Sequence, residues 1–232
     1  MTLFRIERGQ SLLSSEEAEV AALRALLCAL GYPGMRWVRS FVAEPDNTVR
    51  CFYEARRTTD IEFHSRVAGI PCLAVRPVTE VRPSASGKVL LGGVDTGKDT
   101  AAGDVPVWIV RQRLDGRTDA EVIVALPRCG DGVPRWVRTF IDREGEELLS
   151  AYRAHSESSL LDLLAPSPFP VIEARRADEY LPSDLETAKY SLPNPYGTAS
   201  RGALVALDTV RQASTGPQPQ PSRRRTHALS GR

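Results

Sequence analysis

The stretch Arg36–Phe41 reads RWVRSF, and ninety-nine positions later Arg135–Phe140 reads RWVRTF. The chain has only three tryptophans in 232 residues, so two of them share one hexapeptide. Laid on itself at that offset, the chain keeps matching. Tyr53 meets Tyr152, Pro71 meets Pro170, Arg76 meets Arg175, Glu80 meets Glu179 and Pro83 meets Pro182, with no gap from 36 to 83. Upstream, LFRIER at 3–8 aligns with WIVRQR at 108–113, here with an offset of 105. A fixed self-similarity of this length reads as a tandem copy of one module.

Each copy carries the same pattern of elements. An alternating strand comes first, Leu3–Arg8 and Val107–Arg113. A helix follows, opened by the capping boxes Ser14-x-x-Glu17 and Thr118-x-x-Glu121. In the first copy that helix carries Val20, Leu23, Leu26, Leu27 and Leu30 at helical spacing and stops at Gly31. Strands Arg36–Ala43 and Val49–Ala55 are joined as a hairpin by EPDN, which DREGEE replaces in the second copy. A second helix is expected at 58–68 and 156–165, and a last strand at Leu73–Val81 and Val171–Leu181. The order β-α-β-β-α-β, twice, specifies an α+β fold of two ferredoxin-like modules. Helices cover one face of each sheet, and packing the modules together as an intrachain pseudo-dimer covers the other. The expected divisions are 1–83, a Gly- and Thr-rich linker 84–105, 106–182, and a tail 183–232. The end of that tail is rich in Pro, Gln, Ser and Arg and reads as disordered.

Composition narrows the function classes. Net charge is +1, which gives no general attraction to nucleic acid or anionic membrane. Basic residues are nearly all Arg, with Lys only at 88, 98 and 189, the bias of a GC-rich bacterial genome. No apolar run reaches the roughly 20 residues that span a bilayer, and MTLFRIERGQ is not a signal peptide. A cytoplasmic location is the expectation, with Cys28, Cys51, Cys72 and Cys129 as free thiols. Gly-rich phosphate loops, G-x-S-x-G elbows and H-E-x-x-H helices are all missing from the sequence.

One segment gathers chemistry. CFYEARRTTDIEFHSR, residues 51–66, holds a thiol, a carboxylate and an imidazole in Cys51, Glu54 and His64. Imidazole suits nickel, copper or zinc, carboxylate can complete a site with water, and Glu7 on the neighbouring strand offers another oxygen. Strand alternation puts Cys51 with Tyr53 and Glu54 with Phe52, so one ion takes both Cys51 and Glu54 only across a bulge or at a strand end. Other readings stand beside this one. Cys51 suits a core as a small hydrophobe, Glu54 can pair with Arg56 or Arg57, and His64 can be a hydrogen-bonded core histidine. In the second copy Cys51 becomes Ser150, Glu54 Arg153, His64 Leu163 and Glu7 Gln112. His155 falls opposite Arg56 and restores nothing. The second copy thus reads as scaffold, leaving one site per chain.

RIER near the start, RWVRSFV, CFYEA at 51–55, the helix with His64, AGIP at 68–71 and VTEV at 78–81 together resemble a family of small bacterial nickel-binding proteins with a ferredoxin-like fold. The resemblance covers most of 3–83. It implies nickel, or a similar divalent ion, as the ligand and partner. It also implies a homodimeric module whose partner the second copy replaces here, leaving further oligomerisation to the remaining sheet surface. The reading is a non-catalytic protein that sequesters or senses the ion through His64, Glu54, Cys51 and Glu7. The alternative is a small enzyme of monooxygenase, isomerase or cyclase type with a pocket between sheet and helices, a fold-level analogy.

Overall fold

The computed structural model describes residues 1–8, 32, 34–46, 48–70, 72–84, 88–93, 104–127 and 132–184. The capping box at Ser14, the helix running to Gly31 and the tail beyond Asp184 lie outside the described residues. Ten strands and three helices occupy the rest. They are β1 (Thr2–Arg8), β2 (Arg36–Ala43), β3 (Thr48–Ala55), α1 (Thr58–Val67), β4 (Cys72–Pro77), β5 (Thr79–Pro83), β6 (Val89–Leu91), β7 (Val107–Arg113), α2 (Asp119–Ala125), β8 (Arg135–Asp142), β9 (Glu147–Arg153), α3 (Glu157–Leu164) and β10 (Val171–Tyr180). No helix among the described residues is long and apolar enough to cross a membrane.

All the strands join one antiparallel sheet in the order β4-β1-β3-β2-β10-β7-β9-β8-β5-β6. In each half the order is fourth, first, third, second, the arrangement of a split β-α-β unit. The final strand of each half then crosses to the other. β10 pairs with β7 up to Ala177 and with β2 from Ala177 to Tyr180. β4 pairs with β1, the Val78 amide donates to the Leu3 carbonyl at 2.9 Å, and β5 continues onto β8. β4 at one end of the order is thus joined through Val78 to β5, next to the other end, and the sheet wraps on itself. The segment read as a linker carries β6, which pairs with β5.

Three buried clusters follow from period-2 alternation. Inside the wrapped sheet, Leu3, Phe41, Phe52, Ile109, Phe140 and Leu149 pack residues of both halves together, with Phe52 and Phe140 stacked at 3.8 Å. The opposite faces form the other two. Phe4, Ile6, Trp37, Cys51, Tyr53 and Ile61 pack in the first half, and Val110, Trp136, Tyr152, Leu160 and Leu164 in the second.

The hexapeptide now has a physical account. The pairing β2–β3 shifts between Trp37 and Arg39, and β8–β9 shifts between Trp136 and Arg138, so each copy carries a bulge at its valine. The Trp37 indole N–H donates to Ser40 Oγ at 3.0 Å and that of Trp136 to Thr139 Oγ1 at 2.9 Å. Either hydroxyl serves, which is why the fifth letter is Ser or Thr. The second arginine crosses between halves: Arg39 binds Glu179, and Arg138 Nη1 donates to Glu80 Oε1 at 2.7 Å. Burial, then the neighbouring Arg138 charge, lower the Arg39 pKa, and Glu179 and Glu80 work against them. The phenylalanine closes the inner core.

Strand pairing revises one alignment. Ile6 faces Cys51 as Val110 faces Ser150, so β1 and β7 correspond at an offset of 104, not 105. The counterpart of Glu7 is therefore Arg111, and Gln112 is the counterpart of Arg8.

Candidate metal site

Alternation along β1 sends Phe4, Ile6 and Arg8 to the helix-covered face and Leu3, Arg5 and Glu7 to the inside of the wrapped sheet. On β3 the helix-covered face takes Cys51 and Tyr53. Helix α1 lies over them. Its buried positions are Ile61, His64 and Ser65, a spacing that makes one face of a helix. The His64 ring stands 5.3 Å from that of Tyr53. The helix ends at Val67, and Gly69 after its Ala68 cap has a φ of 68° that allows the Ile70 amide to return to the Ser65 carbonyl at 2.9 Å and the Gly69 amide to that of Arg66 at 3.2 Å. This turn, the AGIP motif of the sequence, holds the Ile70 carbonyl where Arg8 Nη1 donates to it at 2.7 Å. Arg8 Nη1 also donates to Ser65 Oγ at 3.1 Å.

His64 is fully buried, and neither ring nitrogen has a hydrogen-bond partner. Burial first, and the Arg8 guanidinium second, push its pKa down to about 4. At neutral pH it is an uncharged imidazole with a lone pair that no protein donor uses. Burial alone lowers the Arg8 pKa, but Cys51, Tyr53 and Cys72 around it outweigh that effect and raise it.

The sequence-predicted ligands divide between two faces. Cys51 shares the face of His64. Glu54 does not: it accepts from Arg36 Nε at 2.9 Å and Nη2 at 2.5 Å, a different partner from Arg56 or Arg57. Glu7 lies inside, 3.3 Å from Arg5, which also reaches the buried Asp142 at 2.8 Å. Among the described residues no three His, Cys, Asp or Glu side chains gather to hold a metal ion. A free nitrogen on His64 and a buried thiol on Cys51 fit a divalent transition ion in kind. Glu54 and Glu7 are turned away from it.

Sequence reasoning missed two members of this face. Arg8 was present in RIER, and Cys72 pairs directly with it across β1–β4. The 105 offset matched Arg8 with Arg113 and hid the contrast with Gln112. At corresponding places the second half has Gln112, Ser150, Leu163 and Val171, where the first has Arg8, Cys51, His64 and Cys72. Gln112 Nε2 donates to the Phe169 carbonyl at 3.1 Å, as Arg8 does to that of Ile70.

Residues 5–78 match the model of a family described as nickel-responsive proteins, SCO4226-like. No curated protein matches the chain. Solved structures resemble it distantly. A candidate monooxygenase of Fusobacterium nucleatum subsp. nucleatum is 10% identical over 78% of this chain and 90% of its own, with a TM-score of 0.38. A candidate chlorite dismutase is 9% identical over 81% and 99%, with a TM-score of 0.41. A candidate monooxygenase of Lactobacillus acidophilus NCFM is 7% identical over 77% and 94%, with a TM-score of 0.37.

Proposed function

We propose that this chain is a non-catalytic binding protein for a divalent transition ion, nickel by preference, which it sequesters or senses through the first half. His64 supplies the nitrogen ligand, and Cys51 is the thiol on the same face. The observation that carries this reading is the His64 imidazole: fully buried, with neither nitrogen partnered. Buried polar groups are nearly always satisfied, so such an orphan calls for a partner outside the protein's own hydrogen bonds. The match of 5–78 to a nickel-responsive family favours nickel among the ions an imidazole accepts.

The same reading makes the chain a tandem duplication whose second copy keeps the fold without the site. The matching bulges, the reciprocal Arg39–Glu179 and Arg138–Glu80 pairs and the shared strand order support it.

Nickel calorimetry on metal-stripped protein, with metal content measured after dialysis, tests the site. One ion per chain is expected, lost in His64→Ala and weakened in Cys51→Ser. Glu54→Gln and Glu7→Gln leave binding intact because both carboxylates lie off the helix-covered face. Unchanged binding in His64→Ala, or none in the wild type, overturns the assignment.

A further inference from the structure

Nickel alone leaves Arg8 unexplained. The residue is 4% exposed, Nη1 donates to Ser65 and Ile70, the Cys51 thiol adjoins the guanidinium, and Nη2 has no hydrogen-bond partner. Four other buried guanidiniums meet carboxylates, Arg5 with Asp142, Arg39 with Glu179, Arg50 with Glu173 and Arg138 with Glu80, while Arg153 Nη1 donates to the Val105 carbonyl at 2.8 Å. Among the described residues no carboxylate contacts Arg8; the groups around it are Cys51, Tyr53, Cys72 and Ser65. A buried charge without a countercharge is costly. The fold does not require it, because neutral Gln112 makes the corresponding bond in the second half.

A bare cation fits poorly beside this guanidinium, since like charges repel strongly where water is excluded. Protein donors are also too few. Cys51 on β3 and Cys72 on β4 flank β1 on opposite sides, two strand spacings or roughly 10 Å apart in backbone. An anion that travels with the ion resolves both difficulties at once. It fills coordination positions that the protein leaves open, and it neutralises Arg8.

Resting on the nickel reading, we propose that the ion binds as its complex with a small polycarboxylate chelator. His64 ligates the metal, and Arg8 Nη2 receives a carboxylate of the chelator. Guanidinium is suited to that recognition by its charge and its planar donors. There is room nearby. Ser65 and Cys72, which flank Arg8, line an open cleft of about 590 Å3 with Glu62, Arg66 and Gly69. That volume is in the range of small-ligand sites, and its described wall sets the Arg66 cation beside the Glu62 carboxylate.

The test uses the full chain, stripped of metal, with three probes: nickel chloride, equimolar nickel–citrate, and citrate alone. Calorimetry gives affinity, and equilibrium dialysis with labelled citrate gives its retention. The variants are Arg8→Gln and His64→Leu, each carrying the residue the second half already uses, with circular dichroism to show that they fold. The expected result is citrate retained one-to-one with nickel, and nickel–citrate bound at least about tenfold tighter than nickel chloride, the worth of one charged hydrogen bond. Arg8→Gln loses citrate retention and that gain while still binding nickel chloride; His64→Leu loses both. Citrate that merely competes with the protein for nickel overturns the proposal and leaves the nickel site standing. Citrate retained without nickel, or retained by Arg8→Gln, overturns it as well. Failure of the wild type to bind either nickel probe sinks the nickel reading and this proposal with it.

Discussion

Replacing His64 with leucine, the residue at the corresponding position of the second half, is expected to stabilise the metal-free protein. An unsatisfied buried polar group costs about 1–3 kcal/mol, and both His64 nitrogens are unsatisfied in a fully buried ring. Leucine is similar in size and removes that penalty at pH 7. For a chain of this length each kcal/mol gained raises Tm by roughly 2–4 °C. A second effect depends on pH. The folded-state pKa of His64 is about 4, against 6.5 for the free side chain. As pH falls below the free value, the unfolded chain takes up the proton first, so the wild type loses stability between about 6.5 and 4. The full loss is about 3 kcal/mol, and roughly 2 kcal/mol of it has appeared by pH 5. His64→Leu has no such group, so its advantage over the wild type widens by that amount between pH 7 and pH 5. Urea denaturation of both proteins, stripped of metal and measured at the two pH values, reads the gap directly. A wild type as stable as the variant at pH 7, with a gap that stays flat with pH, would refute the reasoning. The imidazole would then be hydrogen-bonded and would take up its proton in the folded chain as it does in the unfolded one, with no nitrogen left for an ion.

Two further outcomes follow from the contacts between halves and within the hexapeptides. Glu80→Gln and Glu179→Gln each break a buried ion pair and are expected to cost about 3–5 kcal/mol, by similar amounts because the two pairs are equivalent; chemical denaturation at pH 7 checks both size and similarity. Trp37→Phe and Trp136→Phe each lose an indole hydrogen bond worth about 1 kcal/mol, and in a double-mutant cycle Ser40→Ala should add little once Trp37 is gone.

The strands and the shared strand order were legible because they rest on local signals: alternation, the EPDN turn and the repeated hexapeptide. Residue-level pairing was harder. By letters RIER of β1 aligns with VRQR, whereas its register is set by which side chains face Cys51 and Ser150 across the sheet. One residue of slip reverses every face of a strand. That slip hid Arg8 behind Glu7. The final strand was read as one element in each copy. What sequence pattern does not carry is that its far half pairs with a strand of the other half, which merges the two halves into one sheet. For the site, alternation already placed Cys51 and Glu54 on opposite faces, and Glu54 sits opposite Leu3 and beside Arg36, not at a bulge. The helix register, with Ile61 and His64 one turn apart, turns the imidazole toward the face that carries the thiol. A buried guanidinium without a carboxylate leaves no trace in a sequence. It is recognised only from the contacts that Arg8 makes with the described residues around it.

The second half serves as an internal control for the first. Both keep the tryptophan bulge, the tyrosine on the third strand, the crossing arginine and the glutamate it meets. A bond from the first strand to the carbonyl after the second helix also recurs. Those features are what the fold needs, and Gln112, Ser150, Leu163 and Val171 supply the rest with uncharged groups and, at Gln112, a satisfied amide. At the same four places the first half has Arg8, Cys51, His64 and Cys72: one cation, two thiols and an imidazole with two orphan nitrogens. Arg8 and His64 are less stable choices than Gln112 and Leu163, by desolvation and by buried polar atoms without hydrogen bonds. Because the same architecture stands without them, packing does not account for their presence. The penalties lie in a single contiguous patch, and they are of complementary kind: a nitrogen lone pair that a metal satisfies and a positive charge that an anion satisfies. A ligand with both properties removes them together, and binding it would couple stability of the first half to occupancy.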